Sequence, residues 1–187
     1  MVHRVLLNAL AVFILIVFSP LFAHAAGFVL ASKDFQSGAV IGQPQVFNGF
    51  GCTGENHSPE LHWSGAPSGT KSFLLTVHDP DAPIVSGWWH WTVFDIPGAT
   101  DYLPTGVTTS SLPAGAVEGP TDFGSPGYGG PCPPPGDKPH RYVFTLYALD
   151  VSRLTVGVNP TGAMLSYLAK NHTLAQTQLV GFYGRSK

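Results

Sequence analysis

Three stretches of the chain, residues 72–78, 90–96 and 142–149, are apolar at nearly every position. Each has the length of a strand, and continuous apolarity in place of alternation predicts strands covered on both faces. Aromatic and β-branched residues dominate 142–149 (YVFTLYAL), which suits a strand better than a helix. Residues 174–183 alternate loosely and predict a closing strand, with shorter candidates at 28–31 and 61–63. Only 160–170 carries a helical signature. Asn159 can cap it, Pro160 takes the first helical position, and Leu165 and Leu168 are spaced for one face, with Met164 one position back. Residues 97–123 read as loop, anchored by Leu103, Leu112 and Val117. The pattern predicts one mainly β domain over residues 26–187.

The first 25 residues belong to a different pattern. His3 and Arg4 open it, an apolar run from Val5 to Phe18 is interrupted only by Asn8, and Ser19-Pro20 breaks the run. Ala23-His24-Ala25 then supplies a small-x-small cleavage site, which predicts a secretory signal peptide over 1–25 and export to the periplasm or beyond. The competing reading is an uncleaved anchor, since 5–23 could just reach across a bilayer of about 30 Å. No cysteine follows the cleavage site, which argues against lipidation there.

Composition narrows the class further. Charged residues are 11% of the chain while Gly (22) and Pro (17) are plentiful, which favours short strands joined by rigid turns. Nine Lys and Arg stand against eleven Asp and Glu, scattered along the chain, so no surface for a nucleic-acid backbone is indicated. The two cysteines, Cys52 and Cys132, both sit in Gly-rich loops. In an exported chain the leading interpretation is one disulfide, with two free thiols or a metal pair as alternatives. Without a CxxC or CxH spacing the metal reading is weak.

The candidate chemistry gathers where Gly/Pro loops meet strands. Asp79-Pro80-Asp81-Ala82-Pro83 must be a loop, because strand interiors disfavour Asp and Pro. His90 opens the next apolar run, and residues 127–142 form a second Gly/Pro loop that delivers His140 to the mouth of a strand. Asp79, Asp81, His90 and His140 could ligate a divalent metal, do acid/base work, or help receive an anion. For the last, glycines at 127, 129 and 130 can turn successive N–H groups toward one point. The pocket's positive character would then come from imidazoles and loop amides, since Arg141 is the one Lys or Arg within its motifs. The plainer alternative is that the aspartates cap turns and the histidines fill core corners, which is the reading favoured for His57, His62 and His78. Asn56 and Ser58 read as turn residues that hold backbone. No nucleophile elbow, zincin motif, P-loop or dinucleotide fingerprint is present, so the residues lean toward binding over catalysis.

DPDAP (79–83), GWWHW (87–91), YGGPCPPPG (128–136) and PHRY (139–142), with GENHSP (54–59) beside them, resemble the motifs of the phosphatidylethanolamine-binding protein family, in its bacterial Raf-kinase-inhibitor-like branch. The likeness runs over most of the chain beyond the leader. It implies an all-β fold with a large antiparallel sheet, a smaller sheet and a helix near the C-terminus. It also implies a pocket that accepts phosphate, acetate or a phospholipid head group, with no cofactor. Its walls would be Asp79, the Asp81-Ala82-Pro83 turn, Trp88, His90, Tyr128, Gly129, Gly130, His140 and Tyr142, with Arg141 as structural partner of a loop carboxylate. Ile84 and Val85 stand where relatives often carry a hydroxyl residue. The resemblance further implies a homodimer, and it strengthens the expectation of a cis Ala82–Pro83 bond, which a proline-rich turn tolerates at a cost of about 0.5–1 kcal/mol. The leading function is a non-catalytic, exported binding protein for a small anion or lipid head group. The runner-up is an interaction module or inhibitor of a protease or kinase that uses the pocket rim, and a hydrolase comes third.

Overall fold

A computed structural model describes residues 27–187, and the leader expected at 1–25 lies outside them. The three apolar runs are neighbouring strands of one antiparallel sheet. The strands are β1 (Val29–Ala31), β2 (Asn48–Gly49), β3 (Cys52–Thr53), β4 (Leu61–Ser64), β5 (Ser72–Asp79), β6 (Trp88–Pro97), β7 (Tyr102–Leu103), β8 (Val117–Glu118), β9 (His140–Leu149) and β10 (Thr173–Tyr183), with helix α1 (Gly162–Ala169) before the last. The large sheet runs β10-β9-β5-β6-β8, a smaller one runs β1-β4-β7, and β2-β3 form a short hairpin. The fold is the mainly β arrangement that the motifs imply.

Both faces of the central strands are buried, which accounts for their continuous apolarity. Phe73, Leu75 and Val77 of β5 face the main core with Trp63 and Leu61 of the smaller sheet. Leu74 faces a second core with Phe94, Leu154 and the Leu165 and Ala169 side chains of α1. In β6 the register slips beside Asp95, whose φ is +57°, so that Val93 and Ile96 both reach the main core. Asp95 Oδ1 accepts the Leu154 N–H at 2.8 Å across this irregularity.

Some local expectations fail for identifiable reasons. The helix is capped by Thr161, whose hydroxyl accepts the Met164 N–H at 3.2 Å, and not by Asn159, which sits at φ +51°. Its buried pair is Leu165 and Ala169, while Leu168 is half-buried and Met164 exposed. In the 97–123 loop Leu103 is fully buried as expected, but Val117 is exposed and its neighbour Glu118 points inward. Glu118 holds that position because Oε1 accepts the Trp91 Nε1–H at 2.9 Å and Oε2 accepts the Thr109 hydroxyl at 2.7 Å.

Cys52 and Cys132 are joined in a disulfide with their Cα atoms 6.0 Å apart, tying β3 to the second Gly/Pro loop. Closing a loop of that length restricts the unfolded chain by about 4–5 kcal/mol.

Candidate functional site

A cavity of about 190 Å³ lies where β5 ends and β6 and β9 begin. Antiparallel pairing sets these strand ends side by side, with Asp79 opposite Trp88 and His78 opposite both Trp89 and Val143. The register then slips. Val77 pairs with Trp91 while His78 pairs with Trp89, so His90 is the extra residue of a β-bulge. Bulges interrupt alternation and re-aim side chains. Here Trp91 stays fully buried in the core while His90, one residue earlier, still lines the cavity. Two loops cover the bulge's backbone: Trp89 N–H donates to Asp122 Oδ2 of the 97–123 loop at 2.7 Å, and Gly129 N–H of the second Gly/Pro loop donates to the His90 carbonyl at 2.9 Å.

The His90 ring is held by the second Gly/Pro loop. Nδ1 lies 2.7 Å from the Gly129 carbonyl, which can only accept, so Nδ1 carries the proton. Nε2 keeps its lone pair. Burial pushes the imidazole down to about 4, with the Gly129 carbonyl and Asp79 only partly offsetting the loss of water. The ring is therefore neutral near pH 7.

Asp79 organises the opposite wall. Its Oδ1 accepts the N–H groups of Asp81 at 2.8 Å and Ala82 at 3.1 Å, and Oδ2 accepts from His140 Nδ1 at 2.8 Å. The side chain thus turns the DPDAP segment back on itself. The reversal needs no cis bond: every peptide bond among the described residues is trans, so the cis Ala82–Pro83 bond expected from the sequence is absent. His140 Nε2 stands 3.6 Å from Asp137 Oδ2.

Two cavity-lining residues hold buried polar groups whose protons lack an acceptor. The buried Trp88 Nε1–H and Tyr142 hydroxyl find no acceptor within the protein. The Cys132 amide, which sits beside the phenol, offers a donor and leaves the hydroxyl proton unaccepted. Burial, foremost, pushes the Tyr142 phenol well above its ordinary range, so it too stays neutral. Phe123 braces this wall, stacking on Phe47 at 4.4 Å and meeting Trp88 and His90 edge-on at 5.4 Å each.

Of the residues singled out from the sequence, Asp79, Pro83, Trp88, His90, His140 and Tyr142 line this cavity together. Asp81, Tyr128, Gly129 and Gly130 do not. Asp81 forms a two-pronged ion pair with Arg141, with Nε and Nη2 each 2.8 Å from its oxygens, in a neighbouring surface hollow. That guanidinium, above all, holds the Asp81 carboxyl at about 2. Tyr128 packs edge-on against Trp91 and donates its hydroxyl to the Gln45 carbonyl at 3.1 Å.

Two amides of the expected nest, those of Gly129 and Gly130, are spent inside the protein. Gly129 N–H goes to His90, and Gly130 N–H goes to Asn56 Oδ1 at 2.7 Å. Both positions need glycine for packing: a Cβ on Gly129 would run into the Phe123 ring, and one on Gly130 into the Gln45 carbonyl. Asn56 also donates to the Tyr128 carbonyl at 3.0 Å, and Ser58 Oγ accepts the Val107 N–H at 2.9 Å, so both hold backbone as the turn chemistry predicts. His57 and His62 are exposed, and His78 packs at a tilt against Trp89 at 4.3 Å, away from the cavity lining.

Sequence reasoning missed Phe50 and Phe123, which complete the apolar side of the cavity with Ile84 and the 132–134 stretch. Their one signal is a Phe in a Gly-containing turn, NGFG and TDFGS, a setting that leaves the aromatic ring outside any strand. No cluster of three or more metal-ligating side chains occurs among the described residues, and both Asp79 oxygens are already engaged. The Asp79–His140 pair could move a proton, but the lining offers it no Ser, Thr or free thiol as a nucleophile.

Comparison with known proteins places this geometry in a family. YbcL of Escherichia coli (strain K12), a UPF0098 protein, is 44% identical over 180 residues, covering 95% of this chain and 98% of its own. A second protein of that strain, YbhB, is 43% identical over 156 residues, covering 82% of this chain and 98% of its own. The crystal structure of E. coli YbcL, described as a new member of the mammalian PEBP family, superposes with a TM-score of 0.82 at 46% identity, covering 85% of this chain and 99% of that one. The sequence model of the family matches residues 31–184. This chain belongs to the phosphatidylethanolamine-binding protein family.

Proposed function

We propose that the cavity binds a small oxyanion, of the size of a phosphate or a lipid head group, and that the chain acts as an exported, non-catalytic binding protein. One observation carries this reading: Trp88 and Tyr142, two of the residues that line the cavity, each hold a buried proton, on Nε1 and on the hydroxyl, that finds no acceptor in the protein. A buried polar group left unpaired costs about 1–3 kcal/mol, so a ligand oxygen that accepts from it regains that energy on binding. The volume agrees. At about 190 Å³ the cavity falls below the roughly 300–1,000 Å³ of sites for drug-sized molecules. Export is supported by the Cys52–Cys132 disulfide together with the leader-like pattern of residues 1–25. Calorimetric titration of phosphoethanolamine into wild type and Trp88→Phe tests the reading. Binding that weakens about tenfold on losing one donor supports it, and absence of heat with wild type at millimolar ligand overturns it.

A second reading has its own observation. Phe50, Ile84 and Val85 are exposed, and Phe50 and Ile84 stand on the cavity rim. An apolar rim suits contact with another protein, as an inhibitor or interaction module would make it. Native mass spectrometry of the protein purified from its own host separates the readings: a co-purifying small anion supports the first, and a stoichiometric protein partner the second.

A further inference from the structure

We propose that the cavity selects oxyanions that bring a proton of their own, such as a phosphomonoester as its monoanion, and that His90 Nε2 is the group that reads that proton. The inference rests on the anion-binding reading above and narrows it to a ligand class.

The tautomer carries the argument. A carbonyl cannot donate, so the 2.7 Å contact to Gly129 fixes the proton on Nδ1 and leaves Nε2 as an acceptor, with no partner among the described residues. The groups around the ring reinforce that demand. Asp79 and His78 come from β5, Trp88 shares β6, and His140 and Tyr142 come from β9, while the second Gly/Pro loop offers the ring the backbone of Gly129 and Gly130, and the 97–123 loop offers the Phe123 face. No Lys or Arg lines the cavity, and Asp79 is the one carboxylate in the lining. The Gly129 and Gly130 amides, which could have served an anion nest, are taken by His90 and Asn56. An oxyanion without hydrogen would set lone pair against lone pair at Nε2. One P–OH resolves the conflict by donating to Nε2, while the remaining oxygens accept from Trp88 Nε1–H and the Tyr142 hydroxyl. The burial that resists protonation of His90 keeps the ring in its accepting form.

Phosphomonoesters lose their second proton at a pKa of about 6, so the monoanion is available near neutrality. Sulfate monoesters and phosphodiesters carry the same single charge without a proton. Calorimetry with methyl phosphate, dimethyl phosphate and methyl sulfate between about pH 5 and about pH 8 therefore isolates the proton from the charge. Methyl phosphate should weaken by on the order of 50- to 100-fold across that range as its monoanion disappears. The two proton-free anions should bind at least about tenfold more weakly at the acid end and show no such fall. His90→Phe should erase the preference for methyl phosphate over dimethyl phosphate, and the wild-type series stands alone if that variant does not fold. Equal binding of the three anions, or tighter binding of the methyl phosphate dianion, overturns the selectivity and leaves the anion site standing. Binding of none of them overturns both.

Discussion

Acidification should destabilise this protein through His90 before it reaches the carboxylates. In the unfolded chain an imidazole titrates near 6.5, and in the folded chain burial lowers His90 to about 4. Between those values the unfolded state binds a proton that the folded state refuses. The contribution is therefore complete above pH 6.5 and is lost as pH falls toward 4, at up to about 1.4 kcal/mol per pH unit. Over the whole window the loss is about 3 kcal/mol, a large share of a domain stability of about 5–15 kcal/mol. The control is His90→Asn. Its amide can still donate to the Gly129 carbonyl, but it cannot titrate. The loss of the ring lowers its absolute stability, and only the slope against pH is compared. Urea unfolding of both proteins from about pH 7 to about pH 4.5 should give curves that converge as pH falls, wild type losing stability faster by about 1 kcal/mol or more per unit. Parallel curves would show that His90 does not hold an unprotonated buried ring, and the tautomer argument would fall with it.

Asp79→Ala should cost on the order of 3 kcal/mol in urea unfolding, because it strips acceptors from two amides and from His140; a loss under about 0.5 kcal/mol would remove Asp79 as the hub of that wall. The Asp81–Arg141 pair should add acid sensitivity at lower pH. Asp81 is depressed to about 2, so its contribution is present above pH 4 and lost as pH falls through 2; the pair is partly exposed, so after screening it amounts to no more than about 1 kcal/mol. Asp81→Asn should flatten that step in a melt series. The disulfide should survive isolation of exported protein, and peptide mapping without reductant should recover the Cys52 and Cys132 fragments linked; Cys52→Ala/Cys132→Ala should lower stability by about 2–5 kcal/mol.

The sheet was legible because both of its faces are covered, which left runs such as 72–78 and 142–149 apolar without a break. The site was legible in outline for the opposite reason: Asp79, His90 and His140 are polar residues at the ends of such runs, where a buried group needs a task. What sits between those anchors follows from geometry that residue identity does not encode. The bulge at His90 emerges only from pairing β6 against β5. The Gly129 and Gly130 amides looked free to meet a ligand, yet close packing against Phe123 and Gln45 turns them into the scaffold. The resemblance carried over Tyr128 and Asp81 to the pocket by motif, while their hydrogen bonds to Gln45 and Arg141 hold them outside the lining. Thr161 was passed over as a cap because Asn159-Pro160 made the more familiar helix start, and the left-handed backbone at Asn159 prevents it.

The most direct test of the account watches the Trp88 indole proton. In ¹H–¹⁵N spectra of the protein, with the Trp88 resonance assigned by its loss in Trp88→Phe, titration with methyl phosphate near pH 5.5 should move that proton downfield and saturate, as a free donor gains an acceptor. The Trp91 indole, already bonded to Glu118, should move far less. A Trp88 resonance that stays fixed through saturating ligand would contradict the claim that this cavity receives an oxyanion.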